Sequence, residues 1–256
     1  MNHRLIFASL FAILAMTAVL VALADQVHAL PTPTLFYADN TRYYLWQPSP
    51  HRTQVVVVLY GGGMLYSLCP YTYNVYTWGY DYVPGIQQTW VSELYNYGFD
   101  VVAIKTGSNF ADRECYYAGT VWVKDLINKL HTTYGYSKVS LFGISAGGVI
   151  VAYEIEQRTN INGAVFVSAP VNNYPDPLFQ SAQNAKNVKT NVMLQWGRGD
   201  PDSWPAQMQL YHDNGQSSGH TVSQDNSYSG NLHNDYFTSG AQTQRNTAKS
   251  FLWYYS

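Results

Sequence analysis

Hydrophobic positions along the chain alternate between a strand pattern and a helix pattern. After a proline-marked linker at residues 30–33, residues 34–37 and 42–46 flank the polar turn Ala-Asp-Asn-Thr and predict an opening β-hairpin. Residues 53–60 (TQVVVVLY) are β-branched without polar alternation, the pattern of a parallel strand buried on both faces. A Tyr-rich, low-charge loop at residues 64–85 comes next. Ile86, Trp90, Val91 and Leu94 then share one helical face, closed by Gly98. Residues 99–106 (FDVVAIKT) predict a strand, and Val123, Leu126, Ile127 and Leu130 mark a helix that stops at Gly135. Residues 139–142 form a short apolar run, and residues 149–155 carry helical spacing. Two more strands are predicted in INGAVFVSAP (161–170) and TNVMLQWGRGDPD (190–202), the second ending in turn residues. A helix at 204–212, a short strand in GHTVSQ (219–224), a loop in GNLHNDYF (230–237) and a closing helix at 241–253 complete the pattern.

Strands alternating with helices predict an α/β fold: a mostly parallel sheet with helices on both faces. No internal repeat is present, and residues 30–256 are long enough for one domain with a full core. The short stretch between the strand at Val165 and the one at Val192 leaves no room for a separate cap domain.

The N-terminus departs from this alternation. A positively charged start at residues 1–4 precedes an almost wholly apolar run at 5–24, and small residues sit before Ala24 and Ala29 as signal cleavage requires. Residues 1–29 are therefore expected to be a signal peptide or, if uncleaved, an N-terminal anchor. Either places the rest of the chain outside the cytoplasm, secreted or extracytoplasmic, with membrane contact only if the segment is retained. A net charge of −2 gives no reason to expect a nucleic-acid partner. Charged residues make up 12% of the chain, about half the usual ~25%, while tyrosine is abundant at 23 residues, a balance suited to an exported protein. In that compartment the only two cysteines, Cys69 and Cys115, favour a disulfide over free thiols. It would tie the Tyr-rich loop to the segment before the next helix. No Cys-x-x-Cys or His/Cys cluster points to a metal.

The chemistry concentrates at Gly143-Ile144-Ser145-Ala146-Gly147-Gly148, between a predicted strand and a predicted helix. Glycines here could serve a tight turn or close helix packing alone. Yet Gly-x-Ser-x-Gly in a strand–turn–helix context is what an exposed serine nucleophile on a sharp, strained turn requires. A second glycine cluster, Gly61-Gly62-Gly63, stands after the first long buried strand. A flexible loop would also use such residues, but this position allows the backbone to approach a substrate.

With these motifs the sequence resembles the α/β-hydrolase superfamily from about Leu35 to the C-terminus. GISAGG resembles its nucleophile elbow, and YGGGM resembles the oxyanion loop of its esterase and lipase branch, with Tyr60 where that branch often has His. The absent cap is similar to compact esterases, thioesterases and prolyl-oligopeptidase-like catalytic domains. The resemblance implies a Ser-Asp-His triad in the chain order Ser145, Asp200, His233. Asp202 is the rival acid, better placed to cap the next helix, and Asp176 is a third candidate. His220 lies in or at a strand, while His51, His131 and His212 lie at element ends and read as surface residues. Oxyanion donors would be the N–H groups of Ala146, Gly62 and Gly63, with Met64 as a further candidate. The resemblance also implies a serine hydrolase acting through an acyl-enzyme, without metal or organic cofactor; with the N-terminal segment, the leading expectation is an exported carboxylic-ester hydrolase. Its substrate would be a small-molecule or polysaccharide-linked ester; the aromatics of the Tyr-rich loop suit ordinary packing first and the wall of the pocket second. The alternatives are a serine peptidase of the prolyl-oligopeptidase-like type and a non-catalytic cell-surface binding protein with the same fold.

Overall fold

The computed structural model describes residues 30–38, 41–60, 64–65, 74–75, 86–104, 116–172, 181–201 and 204–255. The opening residues Thr34–Ala38 (β1) and Thr41–Trp46 (β2) pair antiparallel as a hairpin, as the alternation predicts. β2 also pairs antiparallel with Asp100–Ile104 (β6). Gln54–Leu59 (β3) pairs parallel with β6 on one side and with Lys138–Ile144 (β7) on the other. Gly163–Val167 (β8), Asn191–Gly197 (β9) and Val222–Tyr228 (β10) continue the parallel run. The sheet order is β1-β2-β6-β3-β7-β8-β9-β10. In the Tyr-rich stretch, Met64–Leu65 (β4) and Asn74–Val75 (β5) form a small antiparallel pair of their own.

Helices cover both faces because successive strand residues point to opposite sides. On one face lie Tyr116–Thr132 (α2), Ala146–Gln157 (α3), Ser181–Asn184 (α4) and Trp204–Gly215 (α5). They pack Val123, Leu126, Ile127 and Leu130 of α2 and Val149, Ile150 and Ala152 of α3 against Val55, Val57, Leu59, Val139 and Leu141. On the other face lie Ile86–Tyr97 (α1) and Gln242–Tyr255 (α7). There Phe142, one residue beyond Leu141, packs at a tilt on Trp90 of α1, ring centroids 4.9 Å apart. Glu93 of α1 accepts from Arg245 and Lys249 of α7 at 3.0 and 2.9 Å, which fastens these two helices together. Each fully buried Val or Leu on this sheet stabilises the fold by roughly 1.5–3 kcal/mol. The β3 run from Val55 to Leu59 is buried throughout, as its unbroken apolar sequence requires.

Helix stops fall where the sequence places them. Gly98 and Gly135 have φ of 123° and 74°, conformations that glycine adopts without a Cβ penalty. Two expectations need correction. β10 runs on to Tyr228 instead of ending near Gln224: its polar side chains alternate at the sheet edge, where one row faces water. The stretch 230–237 is not all loop, for Leu232–Asp235 (α6) is a single helical turn. Asn231 caps it by accepting from the Asn234 N–H at 3.1 Å. Among the described residues no second domain interrupts β8 and β9; α4 and the 3-10 turn Ala185–Asn187 stand there instead.

Candidate active site

β7, β8, β9 and β10 are adjacent and parallel, so the segments leaving their C-terminal ends emerge on one edge of the sheet. Ser145 leaves β7, Ser168 leaves β8, Asp200 leaves β9 and His233 comes after β10.

Ser145 has φ 56° and ψ −123°, outside the conformations an L-residue ordinarily adopts, at a cost of order 1–3 kcal/mol. Its surroundings hold it there. Its N–H donates to Val167 O of β8 at 2.9 Å, and its carbonyl accepts from Val149 N–H at 3.2 Å in the first turn of α3. The three glycines are required by contact. A Cβ on Gly143 would lie 2.4 Å from Gly147 O, one on Gly147 would lie 2.2 Å from Leu59 O, and one on Gly148 would lie 2.7 Å from Ala169 Cβ. The turn is therefore sharp because α3 is driven against the ends of β3, β7 and β8. Ala146 opens α3 and is buried, and the N–H groups of a first helical turn have no carbonyl partner within their helix.

Asp200 is buried and saturated with donors. Its Oδ2 accepts from Ser168 Oγ at 2.5 Å and from Gly197 N–H at 3.0 Å, while its Oδ1 accepts from the main-chain N–H of His233 at 3.0 Å. One carboxylate thus joins the ends of β8 and β9 to α6. The backbone is equally close here. Gly199 N–H donates to Gly230 O at 3.0 Å, and a Cβ on Gly197 would meet that same oxygen at 2.2 Å.

His233 is brought to Asp200 through its backbone, not its ring. The ring Nδ1 sits 3.2 Å from Asn234 Oδ1, and the indole of Trp204 meets the imidazole edge to face at 5.0 Å. Among the described residues no hydrogen bond joins the ring to Asp200 or to Ser145. Tyr60, directly before Gly61 in sequence, is buried and packs edge to face on Phe237 at 5.8 Å.

Gly62, Gly63, Cys69, Cys115, Asp176 and Asp202 lie outside the described residues, as do residues 1–29. Met64 belongs to β4. His220 precedes β10, and its N–H is held by Ser218. His51 is exposed beside Arg52, and His212 contacts Asp213 and Gln216 on the surface. His131 does more than sit at a helix end, since its two ring nitrogens contact the carbonyls of Tyr136 and Asn160 at 2.8 and 2.9 Å. Among the described residues no cluster of His, Cys, Asp and Glu is placed to hold a metal ion.

Two members of this edge were missed from the sequence. Ser168 is fully buried with φ 45°, a left-handed conformation costing roughly 1–2 kcal/mol for a residue with a Cβ. Its signal is a polar residue directly after the buried run Gly163–Val167, the same relation that Ser145 has to β7. Trp204 carries no local signal, because its contact with His233 is made across the fold.

No family model matches the sequence, and no curated protein matches it. Solved structures do resemble it. An esterase of Pyrococcus furiosus superposes with a TM-score of 0.66 at 12% identity, over 89% of this chain and 91% of that one. A thermostable carboxyl esterase of Bacillus coagulans gives 0.65 at 12%, over 88% and 98%. An acylaminoacyl peptidase of Pyrococcus horikoshii gives 0.66 at 14%, over 91% of this chain and 42% of that one. Together with the sheet order and the strained serine turn between β7 and α3, these likenesses show that the chain has the α/β-hydrolase fold.

Proposed function

We propose that the protein is an exported serine hydrolase that cleaves carboxylic esters through an acyl-enzyme. The observation that carries this reading is Ser145: a residue with φ 56°, enclosed by glycines that admit no Cβ, on the edge where Asp200 and His233 meet. A purely structural turn would have no need of a strained serine. His233 takes the Ser145 proton as the hydroxyl attacks the ester carbonyl, then returns it to the leaving alcohol. Asp200 holds the imidazole and stabilises its cation. For this the ring must turn away from Asn234 towards Asp200, whose Oδ1 accepts the main-chain N–H of His233. The Ala146 N–H, at the positive end of α3, supports the developing oxyanion together with Gly62 and Gly63. Water then releases the acid. No metal or organic cofactor enters these steps. The solved structures that resemble the chain include two esterases, which supports the choice of ester.

A peptidase is supported by the likeness to an acylaminoacyl peptidase, but that likeness spans less than half of that enzyme. The non-catalytic reading draws on the His233 ring, which contacts Asn234 in place of the acid.

Export rests on the apolar segment at 5–24, and the proposal of a Cys69–Cys115 disulfide rests on an even pair of cysteines in that compartment. The test is a panel of p-nitrophenyl esters and aminoacyl-p-nitroanilides, with wild type and Ser145→Ala in parallel. Ester turnover lost in the variant supports the reading. Anilide turnover without ester turnover favours the peptidase, and no turnover of either favours the binding protein.

A further inference from the structure

We propose that Ser168 is a positioning residue for the reaction, whose hydroxyl fixes the plane of the Asp200 carboxylate so that Oδ1 faces His233. This rests on the reading of Ser145, Asp200 and His233 as nucleophile, acid and base.

Ser168 Oγ is fully buried and 2.5 Å from Asp200 Oδ2, and a carboxylate accepts, so the hydroxyl donates. Gly197 N–H fills the other position on that oxygen at 3.0 Å. Oδ2 is then occupied by β8 and β9, and Oδ1 is the oxygen directed at α6, where the His233 N–H meets it at 3.0 Å. Ser168 is itself fixed. Its N–H donates to Gln195 O of β9 at 2.9 Å, and the preceding carbonyl, Val167 O, accepts the N–H of Ser145. The residue thus lies one peptide from the bond that holds the nucleophile, and its side chain holds the acid. A φ of 45° runs against any residue with a Cβ, so glycine would suit the backbone better. What serine adds over glycine is the hydroxyl.

Removing that donor leaves one bond on Oδ2 and frees the carboxylate to rotate. It also concentrates negative charge on the acid, which favours the imidazolium form of His233.

The experiment measures the rate at which a fluorophosphonate probe labels Ser145, as a function of pH, in wild type, Ser168→Ala, Ser168→Gly and Ser168→Cys, with melting curves for each. The proposal expects Ser168→Ala and Ser168→Gly to label roughly 10- to 100-fold more slowly, the range for losing a hydrogen bond to a charged group. It also expects the acid limb of the profile to move to higher pH in both, and Ser168→Cys, a weak donor, to recover part of the rate. Ser168→Gly relieves the positive φ, so it carries the test if Ser168→Ala does not fold. Folded variants with the wild-type rate and the wild-type acid limb would overturn the proposal. So would a rate loss that tracks the melting temperature with the acid limb unmoved. Failure of the underlying reading is separate: wild type itself would then take no label at Ser145, and the role of Ser168 would fall with it.

Discussion

Ser145 is held in its conformation by neighbours that lack side chains. Gly147→Ala places a methyl 2.2 Å from Leu59 O, a backbone atom that cannot swing aside. That substitution should destabilise the fold by about 2 kcal/mol or more, with a lowered melting temperature as the readout; an unchanged one would mean that α3 can slide. Asp200 is satisfied by two N–H groups and a hydroxyl, all of them donors. Asn offers one oxygen in place of two, so its amide N–H₂ must face at least one of those donors. Asp200→Asn should reduce ester turnover on the order of 10⁴-fold, the scale for a buried triad acid. If the large loss appears instead in Asp202→Asn, Asp202 is the acid. Ser145 and its glycines were legible in the sequence because the motif is local. The turn that carries Asp200 was legible from its place after a strand. Ser168 and Trp204 were not, since each acts on a residue about thirty positions away that only the fold brings near.

α3 carries a second burden beyond the serine turn. Its last turn buries Glu156, whose two carboxyl oxygens have no hydrogen-bond partner among the described residues. Burial pushes its carboxyl up to about 8; the nearby Ser181 hydroxyl works the other way without reaching hydrogen-bond geometry. Glu154, also buried, is raised to about 7 by burial despite its pairing with Arg158. An acid raised on folding binds more protons folded than unfolded, so its contribution to stability is full below the unfolded value of 4.5 and is lost as pH rises towards 8. Glu156→Gln copies the protonated acid. It should match wild type near pH 5 and exceed it by a few kcal/mol above pH 8, on the linkage scale of ~1.4 kcal/mol per unit. Melting curves across that range are the check, and a difference that does not change with pH would contradict it. At this scale apolar periodicity located the helices well. It failed where the pattern was polar, as in β10, and where one capping residue, Asn231, decides between loop and helical turn.

At the scale of the whole molecule, topology gathers the candidate residues. Four neighbouring parallel strands deliver Ser145, Ser168, Asp200 and His233 to one edge although the residues span nearly ninety positions of sequence. The alternation of strands and helices made that architecture legible, because it depends on which faces must be buried. The bond pattern around Asp200 was not, because it depends on close approach between the β9 turn and Gly230. The proposed Cys69–Cys115 link also belongs to this scale, closing a loop across the Tyr-rich stretch. Reductant should lower the melting temperature on the order of 5–10 °C if it is present, and identical curves would count against it. The proposed chemistry stands or falls with Ser145 as an activated nucleophile. Fluorophosphonate labelling of the folded protein, with peptide mapping of the product, is the sharpest test because the probe requires no guess about the substrate. A single label on Ser145 is expected, lost on heat denaturation and in Ser145→Ala. A folded chain that takes no label there would contradict the assignment and leave the strained turn as architecture alone.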